Sequence, residues 1–223
     1  MAKAAKQTAK KHPAGKRSRS MMAGGDPVDV MLALVTEHGW RSVTLAQIAE
    51  AGGLSLGALY QKYTSKADML AEFAHRIDAA MLAAVGEVPQ DNGGEDVAVA
   101  KDRLFEAIMA RLDALTPHKA AIRVLMRELP TDPPALACFL YGGLRRGLDW
   151  TLASAGLDRP GFAGLLRRKV LGAIYLDTLR VWLRDELPDL ATTMAHLDKR
   201  LGQGMRFLAA RGPISHLREK TVR

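Results

Sequence analysis

Between residues 30 and 208 the apolar side chains return every three or four positions, and no stretch alternates apolar with polar as a half-buried strand requires. The chain is therefore expected to be all-α. Val30, Met31, Leu34 and Val35 make one stripe, and Met69, Leu70, Phe73, Ile77 and Met81 another. Further along, Leu136, Leu140, Leu144, Leu148 and Leu152 recur every four residues, and Leu197, Leu201, Met205 and Leu208 close the series. Breakers separate the stripes: Gly39, Gly52-Gly53, Pro117, the proline cluster 130–134, the segment 156–161 and Pro188. Nine helices follow from this reading. They are arranged as an N-terminal three-helix head, a connecting helix and a larger helical body. Residues 89–94 hold a proline, an asparagine and two glycines and read as a linker. The expected units are a head over 21–81 and a body over 95–210.

With 48% apolar residues in 223, the chain has enough to bury a sizeable core. No apolar run approaches the roughly 18 residues of a membrane helix, so no stable membrane insertion is expected. No apolar segment of the secretory kind follows the basic N-terminus, and the single cysteine, Cys138, excludes an intrachain disulfide. A cytoplasmic protein is expected. Cys138 lies in an apolar stretch and is expected to pack as a small hydrophobe.

The net charge of +8 sits at the two ends. Residues 1–20 carry +7 and residues 211–223 carry +3, which leaves −2 for everything between. A polybasic segment without acids or aromatics does not fold alone, so 1–20 is expected to be a disordered arm and 211–223 a basic tail. The arm serves either to hold nucleic-acid phosphates or simply to solubilise. Met21 and Met22 offer later starts that would remove it.

Residues 44–63 read T-L-A-Q-I-A-E-A-G-G-L-S-L-G-A-L-Y-Q-K-Y. A helix, a glycine turn and a second helix in that order make a helix-turn-helix, whose second helix lies in the major groove. Leu45, Ile48, Ala49, Leu54 and Leu59 would fill its small core. Ser55, Leu56, Gly57, Ala58, Gln61 and Lys62 would face DNA. Gly57 and Ala58 are small enough for close approach to the groove. Gln61 suits adenine edges, Lys62 guanine or phosphate, and Leu56 or Ala58 a thymine methyl. Tyr60 would lay its ring on the core and offer its hydroxyl to a phosphate. Thr44 and the helix start at Ser65-Lys66 would add phosphate contacts.

Gly39, Thr44, Ile48-Ala49, Gly53-Leu54-Ser55, Gly57, Leu59-Tyr60, Ser65-Lys66 and Leu70 together resemble the DNA-binding head of TetR/AcrR-type transcriptional regulators. The resemblance implies a TetR-like fold in a homodimeric repressor, with a body that binds a small hydrophobic ligand and so releases operator DNA. Leu56, Ala58 and Tyr63 depart from that family's pattern, and residues 27–70 carry a net −1, a weak pull on phosphate.

A second resemblance covers about residues 101–208. Arg111-Leu112, Leu115, Pro117-His118-Lys119 and Arg123 form one block. Tyr175-Leu176, Thr178-Leu179, Trp182-Leu183, Asp185 and Asp189-Leu190 through Arg200-Leu201 form another. Both are similar to the ubiquinone-biosynthesis accessory proteins, which implies a lipid-like effector and, as an alternative function, a lipid-binding accessory role with a vestigial helix-turn-helix. Met109, Met126, Trp150 and Trp182 are candidates to line a pocket, with Met194 beside them. Gly142, Gly143 and Gly147 would allow close helix packing. His118 would start a helix. Asp177, Arg180 and Arg184 would form surface ion pairs. The helices over 163–187 and 189–210 would form the dimer surface.

No H-E-x-x-H, G-x-S-x-G or P-loop is present, and the histidines at 12, 38, 75, 118, 196 and 216 are scattered. No enzyme, cofactor or metal site is expected.

Overall fold

The structure, a computed structural model, describes residues 25–86 and 97–210. The expected arm 1–20, the tail 211–223 and the linker 89–94 lie outside them. Every regular element among the described residues is helical.

The head begins with α1 (Pro27–His38), capped by Asp26, whose Oδ1 accepts from the Val28 amide at 2.9 Å. Gly39 ends α1 at φ +84, a backbone that L side chains rarely adopt. Helix α2 (Leu45–Ala51) opens on a full capping box between Thr44 and Gln47. Gly53, at φ +68, makes the turn into α3 (Leu56–Tyr60), capped by Ser55. This third helix is shorter than the sequence suggests, since Gln61 and Lys62 already belong to a turn. Helix α4 (Lys66–Val85), capped by Ser65, leaves the head and runs along the body. Val28, Met31, Val35, Ile48, Leu59 and Leu70 fill the head core, each at most 2% exposed.

The body continues with α5 (Val97–Leu115), a 3₁₀ turn over Thr116–His118, α6 (Lys119–Glu128) and a second 3₁₀ turn over Leu129–Thr131. One uninterrupted helical run follows: α7 (Pro133–Cys138), a π-helical segment (Phe139–Leu144) and α8 (Arg145–Ser154). The sequence reading counted that run as one helix. A strict four-residue leucine repeat drifts about 40° per step around an α-helix. The wider π turn between Leu136 and Leu148 takes up part of that drift, and Leu144, Leu148 and Leu152 are buried. The chain closes with α9 (Gly161–Trp182) packed against α10 (Ala191–Ala210).

Two expectations are corrected. Cys138 is exposed, because the buried face of α7 is taken by Ala135 with Leu136 half-buried beside it. Asp177 does not pair with Arg180 or Arg184 along its own helix. It turns to α10, where Arg200 Nε and His196 Nε2 lie 2.6 and 2.9 Å away. Two of the three glycines named for close packing are tightly placed: a Cβ on Gly143 would meet Ala74 at 3.2 Å and one on Gly147 would lie 2.5 Å from Arg111, whereas one on Gly142 would meet only Ala71 at an ordinary 3.9 Å.

Arg76 on α4 clamps the start of α1. Its Nη1 and Nη2 donate to the two Asp26 oxygens at 3.0 and 3.1 Å. Burial alone would raise the Asp26 carboxyl, but Arg76 and the Val28 amide outweigh it and hold the group below its usual 3.8. A depressed folded pKa gives stability that is present above the unfolded value and lost as pH falls through the folded one. Asp68, Asp132, Asp177 and Asp185 are depressed as well, each by hydrogen bonds to its carboxylate. Urea melts are therefore expected to show stability falling as pH drops below the usual 3.8. Arg76→Gln should be less stable at neutral pH and lose less on acidification. An identical acid dependence in both proteins would refute the clamp.

Candidate nucleic-acid interface and ligand cavity

The capping and glycine geometry of residues 44–63 sets α3 outward. Ile48, Ala49 and Leu59 are buried and hold it from behind, with Leu45 and Leu54 half-buried beside them. Ser55, Leu56, Gly57, Ala58, Tyr60, Gln61 and Lys62 are all exposed on one projecting element, and Thr44 is exposed at the start of α2. The structure thus brings Ser55, Leu56, Gly57, Ala58, Tyr60, Gln61 and Lys62 together on one element. Ser55 Oγ accepts the Ala58 amide at 3.1 Å, and Thr44 Oγ1 donates to Gln47 Oε1 at 3.0 Å. These two hydroxyls shape the motif as well as lying on its surface.

Two roles within the motif are revised. Tyr60 does not lay its ring on the core: its side chain points away, with the residue 65% exposed, and half-buried Tyr63 packs on the core instead. Lys66 is not a free cation. Its Nζ donates to the carbonyls of Trp40 and Val43, both at 2.7 Å, and lies 4.4 Å from the centre of the Trp40 ring. Burial pushes this ammonium below its usual value, partly opposed by Asp132. Lys66 braces the loop before α2.

Gly57 carries a separate piece of information. A Cβ built on it would meet nothing closer than Ser55 Oγ at 3.9 Å, and its φ is ordinary. The fold leaves room for a side chain at an exposed helical position where glycine costs about 0.5–1 kcal/mol relative to alanine.

The body holds a cavity of about 250 Å³ that is open to solvent at its mouth. Helix α4 supplies Leu70, Phe73 and Ile77, α6 supplies Ile122, Leu125 and Met126, the π segment Phe139, Leu140 and Leu144, and α9 Tyr175, Leu176 and Leu179. Of the four residues nominated from sequence, Met126 alone lines it. Trp182 is wholly buried in the core, beneath the Lys119 ammonium 4.9 Å from its ring. Trp150 is 49% exposed on the outside of α8, and Met109 is half-buried elsewhere on α5. Bulk and flexibility drew attention to these residues, but helix phase decides which side chains face the cavity. His118 starts α6 as expected and meets Phe73 edge-on at 5.0 Å.

Sequence reasoning missed two polar clusters. Arg111 lines the cavity at 6% exposure, bonded through Nη1 to Asp78 on α4 and through Nε to the Tyr175 hydroxyl at 3.3 Å. Burial opposes the Arg111 charge, but the Tyr175 oxygen and the Asp78 carboxylate prevail and hold its pKa above the ordinary value. The available signal was Asp78 itself, an acid on the apolar stripe of α4. The second cluster joins head to body. Trp40 Nε1 donates to Asp132 Oδ2 at 3.0 Å, and Asp132 also caps α7 through the Ala135 amide. Helix α6 presents Ile122 and Leu125 to the cavity and packs against α1 of the head, where Gly39 lets the Glu128 carboxylate come close. The cavity wall is thus in direct contact with the head.

A helix-turn-helix head carried on a helical body defines a protein with the TetR-like fold. Residues 28–73 match the family of bacterial regulatory proteins called tetR, and residues 162–208 match the COQ9 family. The TetR transcriptional regulator from Nitrosomonas europaea ATCC 19718 superposes with a TM-score of 0.56 at 25% identity, over 80% of this chain and 95% of that one. A TetR transcriptional regulator from Rhodococcus sp. RHA1 shares the fold, with a TM-score of 0.53 at 15% identity over 85% and 96% of the two chains. In sequence the chain is 27% identical over 181 residues to the mitochondrial ubiquinone biosynthesis protein COQ9 of Rattus norvegicus, which is 78% of this chain and 56% of that protein. The Homo sapiens protein of the same name is 26% identical over 180 residues, 55% of its length. The chain spans about half the length of these curated relatives. No helix among the described residues is long and apolar enough to cross a membrane.

Proposed function

We propose that this protein is a homodimeric DNA-binding regulator of the TetR type, a repressor whose grip on its operator loosens when a small apolar ligand fills the body cavity. The observation that carries the DNA reading is Gly57, an exposed recognition-helix glycine that the fold does not require and that close approach to a major groove does. Around it Leu56, Ala58, Tyr60, Gln61 and Lys62 present apolar, amide and cationic contacts for base edges and phosphates, with Thr44 and Ser55 at the rim. The basic arm 1–20 offsets the weakly acidic head. Exposed Phe162 and Leu165 at the start of α9 and Phe207 towards the end of α10 favour those two helices as the dimer surface. In mechanism, a ligand that spreads α4, α6 and the π segment shifts α1 through α6 and the Trp40–Asp132 joint. The two recognition helices then no longer match successive grooves. Work in the cytoplasm fits this reading.

A second reading rests on the sequence likeness to COQ9 over 78% of the chain. On it, the chain serves quinone biosynthesis as a lipid-binding accessory protein and keeps the head as architecture. The two readings part at Lys62. On the regulator reading, Lys62→Ala weakens DNA binding and lowers the slope of log affinity against log salt by about 1, measured by anisotropy on duplexes from the protein's own upstream region. On the accessory reading, DNA affinity is weak and unchanged by the substitution.

A further inference from the structure

A second, open groove carries Asp177, Arg180, Arg184, Asp185, Glu186 and Thr192, with Val181 and Leu187 between them. Arg180 lines both concavities. From this geometry, and resting on the reading of the cavity as the ligand site, we propose that the ligand is a single-tailed amphiphile. Its tail fills the cavity and its acidic head, a carboxylate or a phosphate, is held at Arg180.

The distribution of charge supports this in two parts. In the cavity wall the Arg111 charge is paired with Asp78 behind it, and apart from Arg180 the rest of the wall is almost wholly apolar, which suits an uncharged tail. At the mouth the balance is positive. Asp177, three residues before Arg180, is held by Arg200 and His196. Asp185 spends its oxygens on the Thr193 amide and hydroxyl, at 2.8 and 2.7 Å, and on the Leu187 amide at 3.2 Å. Arg180 and Arg184 are exposed and form no ion pair among the described residues, against Glu186 alone. A guanidinium kept free where an apolar cavity meets water fits an anionic head, to which it can donate two parallel hydrogen bonds. The COQ9 and tetR likenesses specify no such charge.

The test compares twelve-carbon ligands that share a tail: dodecanoate, dodecyl phosphate and dodecan-1-ol. They are titrated calorimetrically into the full chain at low salt and about pH 8, where both acids are ionised. At least one anion is expected to bind roughly tenfold more tightly than the alcohol, a gap that narrows with added salt. Arg180→Gln, which keeps a polar side chain at this exposed position, should close the gap by weakening the anions far more than the alcohol. Which anion binds more tightly then tells a fatty-acid head from a phospholipid-like one. The proposal falls if the alcohol matches both anions, or if Arg180→Gln preserves the gap. Failure of all three ligands to bind would remove the cavity reading, and the headgroup assignment with it. The alcohol separates these cases because it reports the tail alone.

Discussion

Asp78→Ala is expected to destabilise the protein by about 3–5 kcal/mol, because it leaves the Arg111 guanidinium charged and buried without its partner. For a chain of this size that corresponds to a fall in Tm of roughly 6–20 °C. Asp78 and Arg111 are 2% and 6% exposed, so the pair is shielded from bulk water. Gly147 sharpens the case: a Cβ there would sit 2.5 Å from Arg111 Nη2 and 2.7 Å from Asp78 Oδ1, so the chain leaves no room for repair. The double replacement Asp78→Leu with Arg111→Met should recover most of the loss, since well-packed apolar side chains often match or exceed a buried ion pair. Thermal melts of the three variants decide it. A loss below about 1 kcal/mol for Asp78→Ala would mean that the pair is solvated and that α4 is not tied to α5 in this way.

Gly57→Leu is expected to leave the melting temperature unchanged or slightly higher, and to weaken specific DNA binding by about a hundredfold or more, roughly 2.8 kcal/mol. The first half follows from the open space around Gly57 and the better helix propensity of leucine. The second follows if the α3 backbone must approach the groove there. A loss of stability would show that the glycine serves the fold. Unchanged DNA affinity would show that α3 does not enter the groove at this point.

Much of the fold is legible in the sequence because its signals are local. Asp26, Thr44, Ser55 and Ser65 all cap the helices they precede, and Gly39 and Gly53 take the positive φ their positions imply. The exposed face of α3 is legible for the same reason: buried Ile48, Ala49 and Leu59 fix its phase within twenty residues. What escapes the sequence depends on partners far along the chain. Lys66 looks like a cation at a helix start, but its fate is decided by carbonyls 26 and 23 residues away. Trp40 finds Asp132 across 92 residues, and Asp78 finds Arg111 across 33. The cavity is hardly legible in the sequence, because a wall assembled from α4, α5, α6, the π segment and α9 has no signature in any one of them. Met126 lines the cavity, whereas Trp182 lies on another face of α9, and Trp150 and Met109 sit on α8 and α5 away from it.

The most direct test of the central claim is selection of bound sequences from a random duplex library by the full chain at low salt, with Gly57→Leu run in parallel. The account predicts that the natural protein enriches one inverted repeat, its half-sites a helical turn of about 34–36 Å or a multiple apart, and that the variant enriches none. Failure of the natural protein to enrich any sequence, with its basic arm present, would contradict the regulator reading and leave the head as inherited architecture over a ligand-binding body.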